Sequence, residues 1–316
     1  MGKLAFLFPG QGSQAIGMGK ELAEAFSSAR AVFEEVDSAL GQDLSGLMWD
    51  GDIETLTLTS NTQPALMAHS LAAMKALEAE FGVDVTAATF VAGHSLGEYS
   101  ALAAAGAISI GDTAKLLRVR GDAMQAAVPA GEGAMAALLG ADLDQAEAAC
   151  EAGRATGGVC EIANDNAPGQ LVLSGTKAAI DAACEHASAN GVKKAVPLTV
   201  SAPFHCSLMA PAADAMAAAL AETEITAPKV PVVANVTTEP TTDPATISAN
   251  LVSQVTGRVR WTETIQYMVT QGIETTAEAG TGKVLTVMQR RIERSLKGFT
   301  LATPEDLEAF AAAMKG

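Results

Sequence analysis

Short apolar runs bounded by glycine and proline alternate along this chain with longer segments of helical spacing, and that pattern predicts an α/β protein. Residues 4–8 read as a buried strand ended by Pro9-Gly10. Gly10-Gln11-Gly12-Ser13-Gln14 follows as a turn before a helix containing residues 18–25. A helix over 63–81 leads into a second short strand, 89–92, which stops at Gly93. Residues 97–105 have helical composition, and Gly111-Asp112 opens a further helix over 112–128.

From Gly133 the rhythm changes. Strand 134–139, helix 143–151, strands 159–163 and 171–174, helix 176–190 and strand 193–198 give the order βαββαβ, the ferredoxin-like pattern. The earlier α/β pattern resumes at 230–234 and 273–278. The expected organisation is therefore a larger unit, 1–128 with 199–316, into which a small unit, 129–198, is inserted. A cleft between the two is the expected ligand site. The Thr/Pro-rich stretch 237–246 reads as a surface loop, and no repeats appear.

Composition narrows the class. At 316 residues the chain can bury a full core, and 49% hydrophobic with 18% charged residues excludes a disordered chain. A formal net charge of −16 argues against nucleic acid or an anionic membrane as partner, since both reward a basic surface; solubility is the simpler account. Cys150, Cys160, Cys184 and Cys206 lack C-x-x-C spacing and read as reduced thiols of a cytoplasmic protein. The first apolar run is too short for a signal peptide. The longest stretch free of charged residues, 195–213, contains three prolines and His205, which suits a loop-bearing segment better than a membrane span.

Gly93-His94-Ser95-Leu96-Gly97 is a G-x-S-x-G between a predicted strand and a predicted helix, the context a nucleophile elbow requires. A serine nucleophile needs a base, and the chain has four histidines. His94 adjoins Ser95, so its side chain diverges from it; His69 falls mid-helix in an apolar stretch; His186 reads as a solvated helix residue. His205, in the proline-containing loop Ser201-Ala202-Pro203-Phe204-His205-Cys206, is the candidate base by elimination. Asp165 or Asp181 could orient its ring, although both fall in the inserted unit, and a backbone carbonyl could serve instead. The Gly10 turn stays ambiguous. It satisfies G-x-G-x-x-A, with Glu34 or Glu35 as ribose acid, and it can equally present an N–H to an oxyanion beside that of Leu96. Arg118 and Arg120, two apart on one helix, face different sides, so at most one shares the site.

These residues resemble the malonyl-CoA:acyl carrier protein transacylases of type II fatty acid synthesis, an acyltransferase family related to polyketide synthase domains. The resemblance spans nearly the whole chain. It is carried by Phe8-Pro9-Gly10-Gln11-Gly12-Ser13-Gln14, Gly93-His94-Ser95-Leu96-Gly97-Glu98-Tyr99, Arg120-Gly121, Asn164 with Pro168-Gly169-Gln170, Pro203-Phe204-His205, Asn235, Gln254 and Val259-Arg260-Trp261. It implies an α/β-hydrolase-like core with the ferredoxin-like insertion. It further implies Ser95 as nucleophile, His205 as base, Gln11 and Leu96 as oxyanion N–H donors and Arg120 as partner of the malonyl carboxylate. The Gln254 main-chain carbonyl would orient the histidine, Asn164 would line the pocket, and Phe204 resembles the bulky residue of malonyl-selecting variants. Malonyl-CoA and holo-acyl carrier protein, an acidic partner, are the expected ligands of a monomer, with no cofactor or metal. A serine thioesterase or esterase on the same elbow would not need Arg120. A dinucleotide-binding oxidoreductase and a non-catalytic carrier-binding subunit are the readings from other classes.

Overall fold

A computed structural model describes residues 2–315. Among the described residues, ten strands form two sheets: β1 (Lys3–Phe8), β2 (Phe90–Gly93), β3 (Gly133–Leu139), β4 (Cys160–Ala167), β5 (Gln170–Thr176), β6 (Lys194–Pro197), β7 (Val232–Val233), β8 (Pro240–Thr241), β9 (Ile273–Ala279) and β10 (Lys297–Leu301). The larger sheet has the order β10-β9-β1-β2-β7-β8 and is parallel except at β8. The smaller, β4-β5-β3-β6, is antiparallel throughout.

β1 shows why its sequence reads as an unbroken apolar run. Successive side chains point to opposite faces of a strand, and here both faces are covered. Leu4, Phe6 and Phe8 enter the main core, while Ala5 and Leu7 join a second cluster with Trp261 and Ile265. The centre of the main core is the helix Thr59–Phe81, buried at almost every position as far as Leu77. It starts four residues before the expected 63, with the N–H groups of Asn61 and Thr62 bonded to Leu58 O, so Pro64 lies inside it. Gly82, at φ 71°, closes it in the left-handed conformation that glycine tolerates.

In the smaller sheet, Ala136, Leu138, Leu171 and Leu173 pack against the helices Leu143–Arg154 and Lys177–Ala189. The other face turns Met135, Ala163 and Val172 toward Phe204, in the loop that returns to the larger sheet. That loop therefore runs between the sheets.

Two expectations need correction. The stretch 237–246 is not all loop: β8 lies in it, and the helix Pro244–Thr256 starts there because Asp243 accepts the Thr246 N–H and Pro244 fits a first helical turn. The i, i+4 and i+7 spacing of Arg290, Arg294 and Lys297 predicts one shared helix face, and the structure does not build it. The helix Val284–Ile292 stops before Arg294, where Glu293 is extended and accepts from Ser295 N–H and Oγ, and Lys297 belongs to β10. The structure also adds the helices Ser27–Leu40, Ala210–Ala221 and Pro304–Lys315.

Candidate active site

β2 delivers the chain to Ser95 through a turn that only glycines allow. A Cβ on Gly93 would meet the Gly97 carbonyl carbon at 1.9 Å, and one on Gly97 would meet Phe8 O at 2.1 Å. Ser95 has φ 53° and ψ −113°, a conformation that costs a non-glycine residue about 1–3 kcal/mol and persists only when its surroundings hold it. They do so through Asn235, whose Oδ1 accepts Ser95 N–H at 2.7 Å while Nδ2 donates to Gly93 O at 2.7 Å. The helix Leu96–Ala104 then leads away from the serine.

Ser95 Oγ lies 2.8 Å from His205 Nε2. His205 Nδ1 faces Gln254 O at 2.9 Å and Gly257 O at 3.2 Å, so it carries the ring proton and leaves Nε2 free to accept from the serine. Neither candidate acid takes part. Asp165 accepts from Thr262 Oγ1 at 2.6 Å, and Asp181 pairs with Lys177 at 2.7 Å. Burial, followed by the Arg120 charge, pushes the His205 imidazole down to about 3, so it is neutral above that pH.

Arg120 is 1% exposed and reaches the same point. Nη2 donates to Ser95 Oγ at 3.1 Å and to Gln254 Oε1 at 2.8 Å, Nη1 donates to Gln63 Oε1 at 2.8 Å, and the guanidinium lies over the Tyr99 ring. Arg118 faces away, bonded to Asn61 and Gln42. His94, beside the serine in sequence, is turned aside: its Nε2 lies 2.8 Å from Asn166 Oδ1 and its ring packs near Trp261.

A cavity of about 340 Å³ opens above these groups, and Gln11, Ser95, Leu96, Asn164, Phe204 and His205 are among its walls. Asn164 comes from β4 and Phe204 packs on the cavity face of the smaller sheet, so both sheets contribute. Neither the Gln11 nor the Leu96 N–H has a protein acceptor among the described residues, and unpaired donors beside an attacking oxygen can stabilise an oxyanion. The dinucleotide reading of the Gly10 turn lacks its structural context. No helix opens at Gly12, the first beginning at Lys20, and Glu35 is bonded to Gly111 N–H.

The structure thus brings together Ser95, His205, Gln11, Leu96, Arg120, Asn164, Phe204 and Gln254. Gln63 and the Asn235 amide carry contacts that the sequence did not announce. Both are buried polar residues whose partners lie far along the chain, so neither leaves a local signal.

A strained serine bonded to a neutral buried histidine, with free N–H groups at a cavity, defines the class of serine acyl-group enzymes. Residues 5–304 match the acyl transferase domain family. The chain is 45% identical to the malonyl CoA-acyl carrier protein transacylase of Bacillus subtilis, over 100% of this chain and 98% of that protein. It is 44% identical to the Escherichia coli K12 protein of the same name, over 100% of both. The acyl-carrier-protein-S-malonyltransferase of Bartonella henselae overlays with a TM-score of 0.97 at 54% identity, covering 99% of this chain and 100% of that one. A malonyl-transacylase solved in complex with a type II polyketide acyl-carrier protein overlays at 0.95 and 40% identity, covering 98% and 99%. The chain belongs to the malonyl CoA-acyl carrier protein transacylase family of acyltransferases.

Proposed function

We propose that this protein transfers malonyl from malonyl-CoA to the phosphopantetheine thiol of acyl carrier protein, in ping-pong order through malonyl-Ser95. The observation that carries the reading is the buried Arg120 fork 3.1 Å from Ser95 Oγ. A buried cation at a nucleophile suits an acyl group with a second, ionised end, whereas an esterase gains nothing from it. The names of the relatives, and the carrier protein bound to one of the matched transacylases, support the same substrates.

In this mechanism His205 Nε2 takes the Ser95 proton as Oγ attacks the thioester carbonyl. The Gln11 and Leu96 N–H groups receive the developing oxyanion, and coenzyme A leaves with the proton from His205. The carrier thiol then attacks the serine ester, His205 again acting as base, and Ser95 is regenerated. The Gln254 and Gly257 carbonyls fill the orienting role that an acid plays in a triad. Asn164 and Phe204 shape the space beside the acyl group. The fold supports a division into an α/β-hydrolase-like catalytic part, 1–128 and 199–316, and a ferredoxin-like part, 129–198, with the site at their junction.

Intact-protein mass spectrometry after mixing with malonyl-CoA tests the reading. The wild-type protein gains one malonyl group, and Ser95→Ala gains none while keeping its melting temperature within a few degrees. A malonyl adduct on the alanine variant removes Ser95 from the mechanism.

A further inference from the structure

Beside the Ser95–His205 pair lies a carboxyl group that the transfer chemistry does not use. Glu98, in the first turn of the helix Leu96–Ala104, is 2% exposed. Such a group must replace its lost water bonds with protein ones. Glu98 Oε2 accepts two, from Gln254 Nε2 at 2.7 Å and from the Asn235 backbone N–H at 3.0 Å. Burial pushes the carboxyl up to about 7, opposed by those two bonds and by the Arg120 charge.

The two residues it holds both bond to the reacting groups or their supports. Asn235 fixes the elbow through Ser95 N–H and Gly93 O. Gln254 donates to Ser95 O at 3.0 Å, accepts from Arg120 Nη2 through Oε1, and accepts from His205 Nδ1 through its carbonyl. Glu98 Oε2 accepts both bonds, and an acceptor there dictates which end of the Gln254 amide faces it. With the amide nitrogen pinned toward Glu98, the amide oxygen is left for Arg120. Among the described residues, Glu98 makes no hydrogen bond to Ser95 Oγ, the His205 ring or the Arg120 guanidinium, so it does not bond to the reacting atoms.

We infer that Glu98 is a positioning residue for acyl transfer: its carboxyl pins the Gln254 side-chain amide, and through it sets the Ser95 elbow and the Arg120 fork. The inference rests on Ser95 and His205 being the reacting pair. An isosteric Glu98→Gln change brings in a donor, so the Gln254 amide can turn over and offer its nitrogen to Arg120.

The test is a double-mutant cycle read as the rate of malonyl loading on Ser95 by rapid quench and intact mass. Glu98→Gln should slow loading about tenfold and Gln254→Leu about a hundredfold, while the double variant stays within about threefold of Gln254→Leu, because the first change acts through the second residue. Should Gln254→Leu melt too low to assay, Gln254→Met, which keeps the length and removes both amide groups, takes its place. Multiplying losses, about a thousandfold in the double variant, or wild-type loading in Glu98→Gln, overturn the inference. The wild-type protein in the same run reports on the reading beneath it. Absence of malonyl on its Ser95 would overturn the proposed function itself, and with it the role given to Glu98.

Discussion

At the scale of single residues, Arg120 separates a malonyl transferase from a general acyl esterase on the same elbow. Its two terminal nitrogens are held by the neutral amide oxygens of Gln63 and Gln254, which a carboxylate can displace with charged and stronger bonds. Arg120→Ala leaves a malonyl carboxylate unpaired and should cost malonyl transfer about 2–5 kcal/mol. Acetyl-CoA lacks that charge, so the ratio of malonyl to acetyl kcat/KM should fall by about two orders of magnitude. Arg118→Ala, whose guanidinium faces Asn61 and Gln42, should leave the ratio unchanged. Steady-state kinetics on both thioesters decide it, and equal losses on the two would make Arg120 a structural residue. Much of this site was legible one residue at a time. The strand–turn–helix context exposed Ser95, and elimination among four histidines exposed His205. The orienting carbonyl of Gln254 was not, since any residue owns a carbonyl and only the resemblance pointed to this one. The grip of Asn235 on Ser95 spans 140 positions and leaves no local trace.

Among the elements, the helix Thr59–Phe81 ties the fold together through a buried histidine. His69 Nδ1 lies 2.6 Å from Thr281 Oγ1 and Nε2 lies 3.1 Å from Ala302 O, which fastens the helix to the segments that follow β9 and β10. Burial pushes this imidazole down to about 4. The unfolded chain binds a proton at this ring below about pH 6.5, while the folded chain refuses it until about 4, so stability falls as pH falls through that window. The full contribution is present above about pH 6.5, and about 3 kcal/mol of it is lost by pH 4. Urea unfolding of the wild type and of His69→Gln across pH 4–7 should show the variant with a flatter pH dependence by that amount, at lower stability near neutrality. Parallel curves would mean that His69 does not carry this linkage. The elements themselves were legible where burial was two-sided, as in β1, or where caps and glycines marked the ends. β10 is not legible in the sequence because it is an edge strand with a mixed composition, Lys-Gly-Phe-Thr-Leu, in which only Leu301 is fully buried. Nor is the helix Ala210–Ala221, whose alanine-rich run has too weak an amphipathic pattern to stand out from the loop before it.

For the whole molecule, a net charge of −16 sets the problem of meeting an acidic carrier protein: global repulsion must be overcome by a local basic patch. The walls of the cavity say where that patch is useful. Leu198, Val200 and Val284 line the cavity and are also partly exposed, which places them at its mouth. Val284 begins the helix Val284–Ile292, and Val287 and Arg291, three and seven residues on, share its face, with Arg290 exposed next to Arg291. Across the mouth, exposed Lys193 and Lys194 lead through β6 to Leu198. Arg294 and Lys297 lie beyond the end of that helix and do not share its face. Reversing both charges of a pair, Arg290→Glu with Arg291→Glu or Lys193→Glu with Lys194→Glu, should raise the KM for carrier protein about tenfold in low salt and less as salt screens the contact. Malonyl loading of Ser95, measured without carrier, should be unchanged for a pair that only docks protein. Carrier titrations at two ionic strengths, run beside the loading assay, separate the outcomes. A pair that slows both half-reactions equally serves the thioester or the fold, and a pair that changes neither lies outside the docking surface.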